Sequence, residues 1–230
     1  MSARGTLVEV RGTTKRYSRG PEQVHALQDV SLDLFPGEFV ALVGRSGSGK
    51  TTLLNLLCGW DRPDEGEVTW QPHPDAPLAD LLWSEIAVVP QTLGLVDELS
   101  IRENIELPLR TRPGQLWRDK DPHPRVEALL RALGLSEVAN RSPGEVSLGE
   151  QQRGALARAL VLLPRLLLAD EPTGHQDETW AKGVMRLLRF AAAKGVCCLV
   201  ATHNHEVVPY ADRVITVRDG RLAALETAKA

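Results

Sequence analysis

The octapeptide Gly44-Arg45-Ser46-Gly47-Ser48-Gly49-Lys50-Thr51 constrains this chain more than any other stretch. It satisfies every fixed position of the G-x-x-x-x-G-K-[ST] phosphate-binding loop. The apolar run Phe39–Val43 before it reads as a buried strand, and Thr52-Leu53-Leu54-Asn55-Leu56-Leu57 after it reads as the opening of a helix. In that strand–loop–helix setting the glycines let backbone amides converge on an anion. The helix N-terminus adds the positive end of its dipole. Lys50 is placed to reach β- and γ-phosphates, and Thr51 to ligate Mg²⁺.

The rest of the chain bounds the setting of this loop. Its 230 residues, 43% of them hydrophobic, are enough to bury a large core, which argues against global disorder. A net charge of −3 gives no electrostatic reason for nucleic acid as the main partner. Cys58, Cys197 and Cys198 show no zinc spacing; the adjacent pair lies in an apolar run and reads as buried, reduced thiols. Met1-Ser2-Ala3-Arg4-Gly5 leads into no apolar signal region, and no apolar stretch reaches membrane-span length. The expectation is a cytosolic chain that meets a membrane only through a partner.

Residues 7–11 and 24–34 alternate as antiparallel strands do, and residues 68–70 form a further short strand. Phe35-Pro36-Gly37-Glu38 is a turn that delivers the loop's strand, and residues 71–80, with three prolines, read as loop. Ile86–Val89 is a buried strand ending at Pro90-Gln91. From residue 92 the character changes: residues 103–109 and 125–133 predict helices around a polar, proline-containing loop at 110–124. Ala155, Leu156, Ala159, Leu160 and Leu163 mark one face of a helix over 151–163, which Pro164 ends. Leu166–Asp170 reads as a parallel strand covered on both faces. A helix over 179–193, a buried strand over 196–201, and a hairpin turning at Asp219-Gly220 complete the pattern.

Gln91, Asp170, Glu171 and His203 all fall at the ends of strands expected beside the strand of the phosphate loop. Open α/β sheets bind ligands at those ends. Asp170 fits a Mg²⁺-directed aspartate, and Glu171 points elsewhere, toward water. Ser147 with Glu150 has capping-box spacing, while its hydroxyl and the amides around Gly149 are also able to hold a phosphate; both readings are compatible.

With these motifs in order, the chain resembles the ATP-binding subunits of ABC transporters over nearly its whole length. Glu-Pro-Thr-Gly after Asp170 and Glu150-Gln151-Gln152-Arg153 look most like the lipoprotein-release, macrolide-exporter and cell-division branch. The resemblance implies an α/β fold: a P-loop NTPase core with an antiparallel β subdomain and a helical insertion. Within one domain, 1–91 and 153–230 would form the core and 92–152 the helical subdomain.

It further implies ATP held with Mg²⁺. The ligand set would be Tyr17 stacked on adenine, Gly44, Arg45, Ser46, Gly47, Ser48, Gly49, Lys50, Thr51 and Thr52 on the phosphates, and Gln91 and Asp170 with Thr51 at the metal. Glu171, His203 and Lys50 would be catalytic, and Asp177 would mark the D-loop. Ser147, Gly149 and Glu150 belong to the signature motif, which would meet the nucleotide of a second copy in a head-to-tail dimer. The products are ADP and phosphate. The partners are a second ATPase subunit, identical or not, and a separate integral membrane permease, with the chain peripheral on the cytoplasmic face.

A cell-division-type regulator whose membrane partner moves no solute is the alternative. A chromosome-maintenance ATPase would carry long coiled coils between the phosphate loop and the signature, and none is present. The helical insertion is expected to carry a permease-docking surface near Gln91 to Leu99, where the apolar run at 92–96 follows Gln91. Two departures stand out: Leu148 replaces a glycine of the signature, and His175-Gln176 stands where this branch usually has Asn-Leu. Leu148 either crowds the opposite nucleotide or packs on the helical subdomain.

Overall fold

Strand β3 (Phe39–Val43) is buried at every position, so it needs neighbours on both sides and cover on both faces. It finds them in a six-stranded sheet of order β5-β6-β7-β3-β8-β9, formed by Ile86–Val89, Leu166–Asp170, Cys197–Thr202, β3, Arg213–Arg218 and Arg221–Thr227. The first five strands run parallel, and β9 returns antiparallel across the Asp219-Gly220 turn. A second, antiparallel sheet of order β2-β1-β4 is built from Glu22–Leu34, Val8–Arg19 and Glu65–Trp70. The computed structural model describes residues 5–81, 83–111 and 123–227.

The period of two along each buried strand sorts its residues into two cores. Val40, Leu42, Leu166, Leu168, Cys197 and Leu199 face helix α1 (Lys50–Leu57) and the antiparallel sheet, which adds Val8, Val10, Leu27 and Leu34. Phe39, Ala41, Leu167, Ala169, Cys198 and Val200 face the opposite layer. There α4 (Leu148–Leu160) and α5 (Glu178–Ala193) pack on the sheet, with α2 (Ile101–Arg110) and α3 (His123–Ala132) beyond them. The three cysteines are buried and free, with Cys197 and Cys198 pointing into different cores. No described helix is long and apolar enough to cross a membrane.

Most elements fall where the pattern places them, with differences at the ends. Helix α4 starts at Leu148 rather than 151 because Ser147 and Glu150 close a full capping box around its first turn. The same device at Ser100 and Glu103 starts α2 two residues early. Strand β7 intervenes between β3 and β6, so Asp170 stands two strands from the phosphate loop. Most of the loop expected at 110–124, and the start of the chain, lie outside the described residues.

Packing corrects part of the docking surface expected near Gln91 to Leu99, withdrawing Leu93 and Leu95 from it. Leu93 is only 6% exposed, with a left-handed φ of 56°, and Leu95 packs against the core. Arg158, itself buried, donates to the carbonyls of Leu93 (2.9 Å) and Gly94 (2.6 Å) and pulls the segment inward. The apolar surface left open nearby belongs to Trp60 and Trp83, in a groove of about 440 Å³.

Candidate nucleotide site

The strand ends converge on a cavity of about 570 Å³. Arg45, Ser46, Gly47, Gly49, Lys50, Thr51 and Thr52 form its floor; Gln91, Asp170, Glu171 and His203 form one wall, and residues 24–26 of β2 form the other. Gly49 has φ 109°, and a Cβ there would sit 2.4 Å from the Ala26 carbonyl oxygen. Glycine is therefore required by conformation and by contact with β2 alike. Helix α1 has Gly49 at its N-cap, with no side-chain cap and no acidic residue in its first turn. By contrast, side chains close the N-termini of α2, α4 and α5. The open amides of α1 suit an anion.

The Lys50 ammonium is buried and spans the loop, donating to the carbonyls of Gly44 (2.8 Å) and Arg45 (3.0 Å). The Ser48 hydroxyl, beside Gly44, is buried with no hydrogen-bond partner and does not line the cavity.

Asp170 ends β6 almost fully buried, and its Oδ2 accepts from the Thr51 hydroxyl at 2.6 Å. Burial pushes its carboxyl above the ordinary value, opposed by the Thr51 hydrogen bond. Among the described residues no group of three or more His, Cys, Asp or Glu could hold a metal alone. A hydroxyl, one carboxylate and the Gln91 side chain are hard oxygen donors that suit Mg²⁺, a cation that completes its shell with water and phosphate oxygens.

Glu171 is fixed from β7. Its amide donates to the Ala201 carbonyl at 2.8 Å, Oε2 accepts from the Thr202 hydroxyl at 2.7 Å, and Oε1 accepts from the His203 amide at 2.9 Å. His203 Nδ1 lies 2.7 Å from the same Oε1. The backbone of Glu171 is left-handed, φ 50°, a costly conformation for a non-glycine residue that is held by these bonds. Carboxylate and imidazole thus face the cavity beside the phosphate loop.

Tyr17 does not line the cavity. It pairs across the sheet with Val24, which does, and the residue is 39% exposed. Ser147, Gly149 and Glu150 are likewise absent from the cavity of their own chain. Gly149 and the turn of α4 behind it are tied to Glu171 and the segment after it: Gln176 Nε2 donates to Gly149 O (2.8 Å) and Gln152 Oε1 (3.0 Å), Arg153 donates to Gln176 Oε1 (2.7 Å), and Gln152 donates to Glu171 O (2.7 Å). The polar Gln176 thus serves as a junction that a leucine could not provide. Asp177 caps α5, accepting from the Trp180 amide at 2.9 Å. Leu148 has no positive φ and is 47% exposed, so the backbone there does not need glycine and about half of the residue is open to solvent.

Sequence reasoning missed residues 24–26, Thr202, Gln152 and Arg158. Thr202 was within reach, since it precedes His203 at the same strand end. The others act across chain separations that no spacing records.

The sequence matches the ABC transporter family over residues 27–174. This chain belongs to the ABC transporter family. It is 40% identical to a lipoprotein-releasing system ATP-binding protein LolD of Chromohalobacter salexigens, covering 94% of this chain and 93% of that protein. It is 39% identical to a macrolide export ATP-binding/permease protein MacB of Azoarcus sp., covering 95% of this chain but 34% of that one. The chain therefore spans about a third of the MacB relatives it matches. Among solved structures, the dimeric ATP-binding cassette MJ0796 in a post-hydrolysis state bound to ADP and Pi superimposes with a TM-score of 0.86 at 33% identity. That match covers 97% of this chain and 99% of the cassette. The fold is the α/β fold of these cassettes.

Proposed function

We propose that this chain is the ATP-binding subunit of a membrane transporter, hydrolysing ATP to ADP and phosphate in a head-to-tail dimer to drive a separate permease. The observation that carries the reading is the convergence of Lys50, Thr51, Gln91, Asp170, Glu171 and His203 from four parallel strands onto one cavity. In this reading the loop amides and Lys50 hold the β- and γ-phosphates, and Thr51, Asp170 and Gln91 hold Mg²⁺. When bound, that cation offsets charge developing on the phosphates. Glu171 takes the proton of the attacking water, and His203, kept in register by Glu171, contacts the γ-phosphate. Tyr17 stacks on the adenine.

Ser147, Gly149 and Glu150 serve the nucleotide of the opposite copy, which is why they lie outside their own cavity. Residues 92–152 act as the helical subdomain, and the Trp60–Trp83 groove, one wall of which is the segment after Gln91, takes the permease. The chain would then sit on the cytoplasmic face of the membrane through that partner. The names of the relatives favour transport over the cell-division type of regulator.

Phosphate release measured against protein concentration tests the dimer. Activity per chain should rise with concentration and vanish with chelator. A strictly constant specific activity would refute the shared site. Co-purification with an integral membrane protein from solubilised membranes tests the partner, and a chain that elutes alone and is unstimulated by membranes would refute it.

A further inference from the structure

The turn after α1 carries Asp61, and its carboxylate is shared by two residues of β1. Oδ2 accepts from the Tyr17 hydroxyl at 2.7 Å, and Oδ1 accepts from the Lys15 ammonium at 2.8 Å and the Arg62 amide at 2.7 Å. Lys15 also donates to the Arg62 carbonyl at 2.8 Å and lies 5.3 Å from the centre of the Tyr17 ring. Lysine is rarely withdrawn from solvent, yet Lys15 is only 9% exposed, so its charge is committed to this cluster. The turn is sewn to β1 again by the Asp64 amide on Thr14 O (2.9 Å) and the Arg16 amide on Asp64 Oδ2 (2.6 Å).

A tyrosine on a strand surface would ordinarily sample several rotamers, and ordering it on binding would cost affinity. Here the ring is tied at both ends, by its own backbone and by its hydroxyl. The tie runs to the far end of the helix whose N-terminus forms the phosphate loop. Eight residues of α1, about 12 Å, separate the two.

We propose that Asp61, held by Lys15, is a positioning residue for base recognition, fixing the Tyr17 ring in its stacking orientation before nucleotide arrives. The proposal rests on the reading of Tyr17 as the base-stacking residue. It gives the pocket a rigid base-binding end at a set distance from the phosphates.

Calorimetric titration of the full chain with ADP and with pyrophosphate, which lacks the base, tests it. Tyr17→Phe keeps the ring and deletes the tie; it should weaken ADP binding about three- to tenfold and leave pyrophosphate within about twofold, the range for one lost hydrogen bond. Asp61→Ala should match it, Asp61→Asn should recover most of the loss, and the double variant Tyr17→Phe/Asp61→Ala should be no weaker than either single one. Tyr17→Phe leaves no charge unpaired, so it carries the test even where Asp61→Ala fails to fold. Wild-type ADP affinity in Tyr17→Phe alongside weakened binding in Tyr17→Ala would overturn the positioning role. Equal losses for ADP and pyrophosphate would also overturn it, because Asp61 would then support α1 rather than the base. Unchanged ADP affinity in Tyr17→Ala would instead remove the stacking reading itself.

Discussion

Replacing Glu171 with glutamine separates chemistry from architecture, because the site can absorb the amide. The His203 backbone N–H is donor only, so the new amide oxygen must take the place of Oε1, 2.9 Å from that nitrogen. The amide nitrogen then faces Thr202 Oγ1, which already accepts from the Asn204 amide at 3.0 Å and has a second lone pair free. One charge-assisted hydrogen bond is lost, a cost of about 1 kcal/mol, and the fold should survive. The reaction loses its proton acceptor, worth about 10²–10⁴ in rate, or ~2.7–5.5 kcal/mol of barrier. The two magnitudes differ enough to be read apart. The assay is phosphate release at saturating ATP and Mg²⁺, with ATP affinity and dimer mass measured on the same preparation. Glu171→Gln should bind ATP within about threefold of the original chain, accumulate as an ATP-bound dimer and release almost no phosphate. Phosphate release within about fivefold of the original rate would remove Glu171 as the base. A parallel loss of ATP affinity would assign it to binding instead.

The remaining predictions concern residues that the structure reinterprets. Leu148→Gly should cost no more than about 1 kcal/mol of stability, since the side chain is exposed. It should raise phosphate release about fivefold or more at low protein concentration, the factor for ~1 kcal/mol of relieved crowding. An unchanged rate at every concentration would end the steric account. Arg158→Met leaves the Leu93 and Gly94 carbonyls without their donor and should lower the Tm by about 5 °C or more, at 1–3 kcal/mol for a buried acceptor. A Tm within about 1 °C of the original would contradict this assignment. Asp170→Asn removes a charge that burial disfavours while keeping an acceptor for Thr51. The Tm in chelator should therefore hold or rise by about 2–4 °C, while the stabilisation by Mg²⁺ with ADP disappears; retained Mg²⁺-dependent stabilisation would place the metal elsewhere. Burial pushes the Cys198 thiol up to about 12 and Cys197 well above its ordinary value. At pH 8 a thiol reagent should label neither in the folded chain, and labelling as fast as in denaturant would show that β7 opens.

The sequence alone determined the parts of the site that are local. The phosphate loop is eight consecutive residues between a buried strand and a helix. Asp170-Glu171 and His203 follow directly on apolar runs, where backbone direction and strand ends are set by near neighbours. Tertiary packing decided whatever depends on side chains that meet from distant positions. It put β7 between β3 and β6, and so handed Glu171 to Thr202 and His203. It turned Leu93 inward under Arg158, although the apolar run at 92–96 reads as surface as readily as core, because apolarity does not say which face a partner covers. It joined Tyr17 to Asp61 across 44 residues and Gln176 to Gly149 across 27. Those bonds leave no periodicity or spacing in the chain, since hydrogen-bond geometry arises only after the two sheets and α4 have closed on their shared cores.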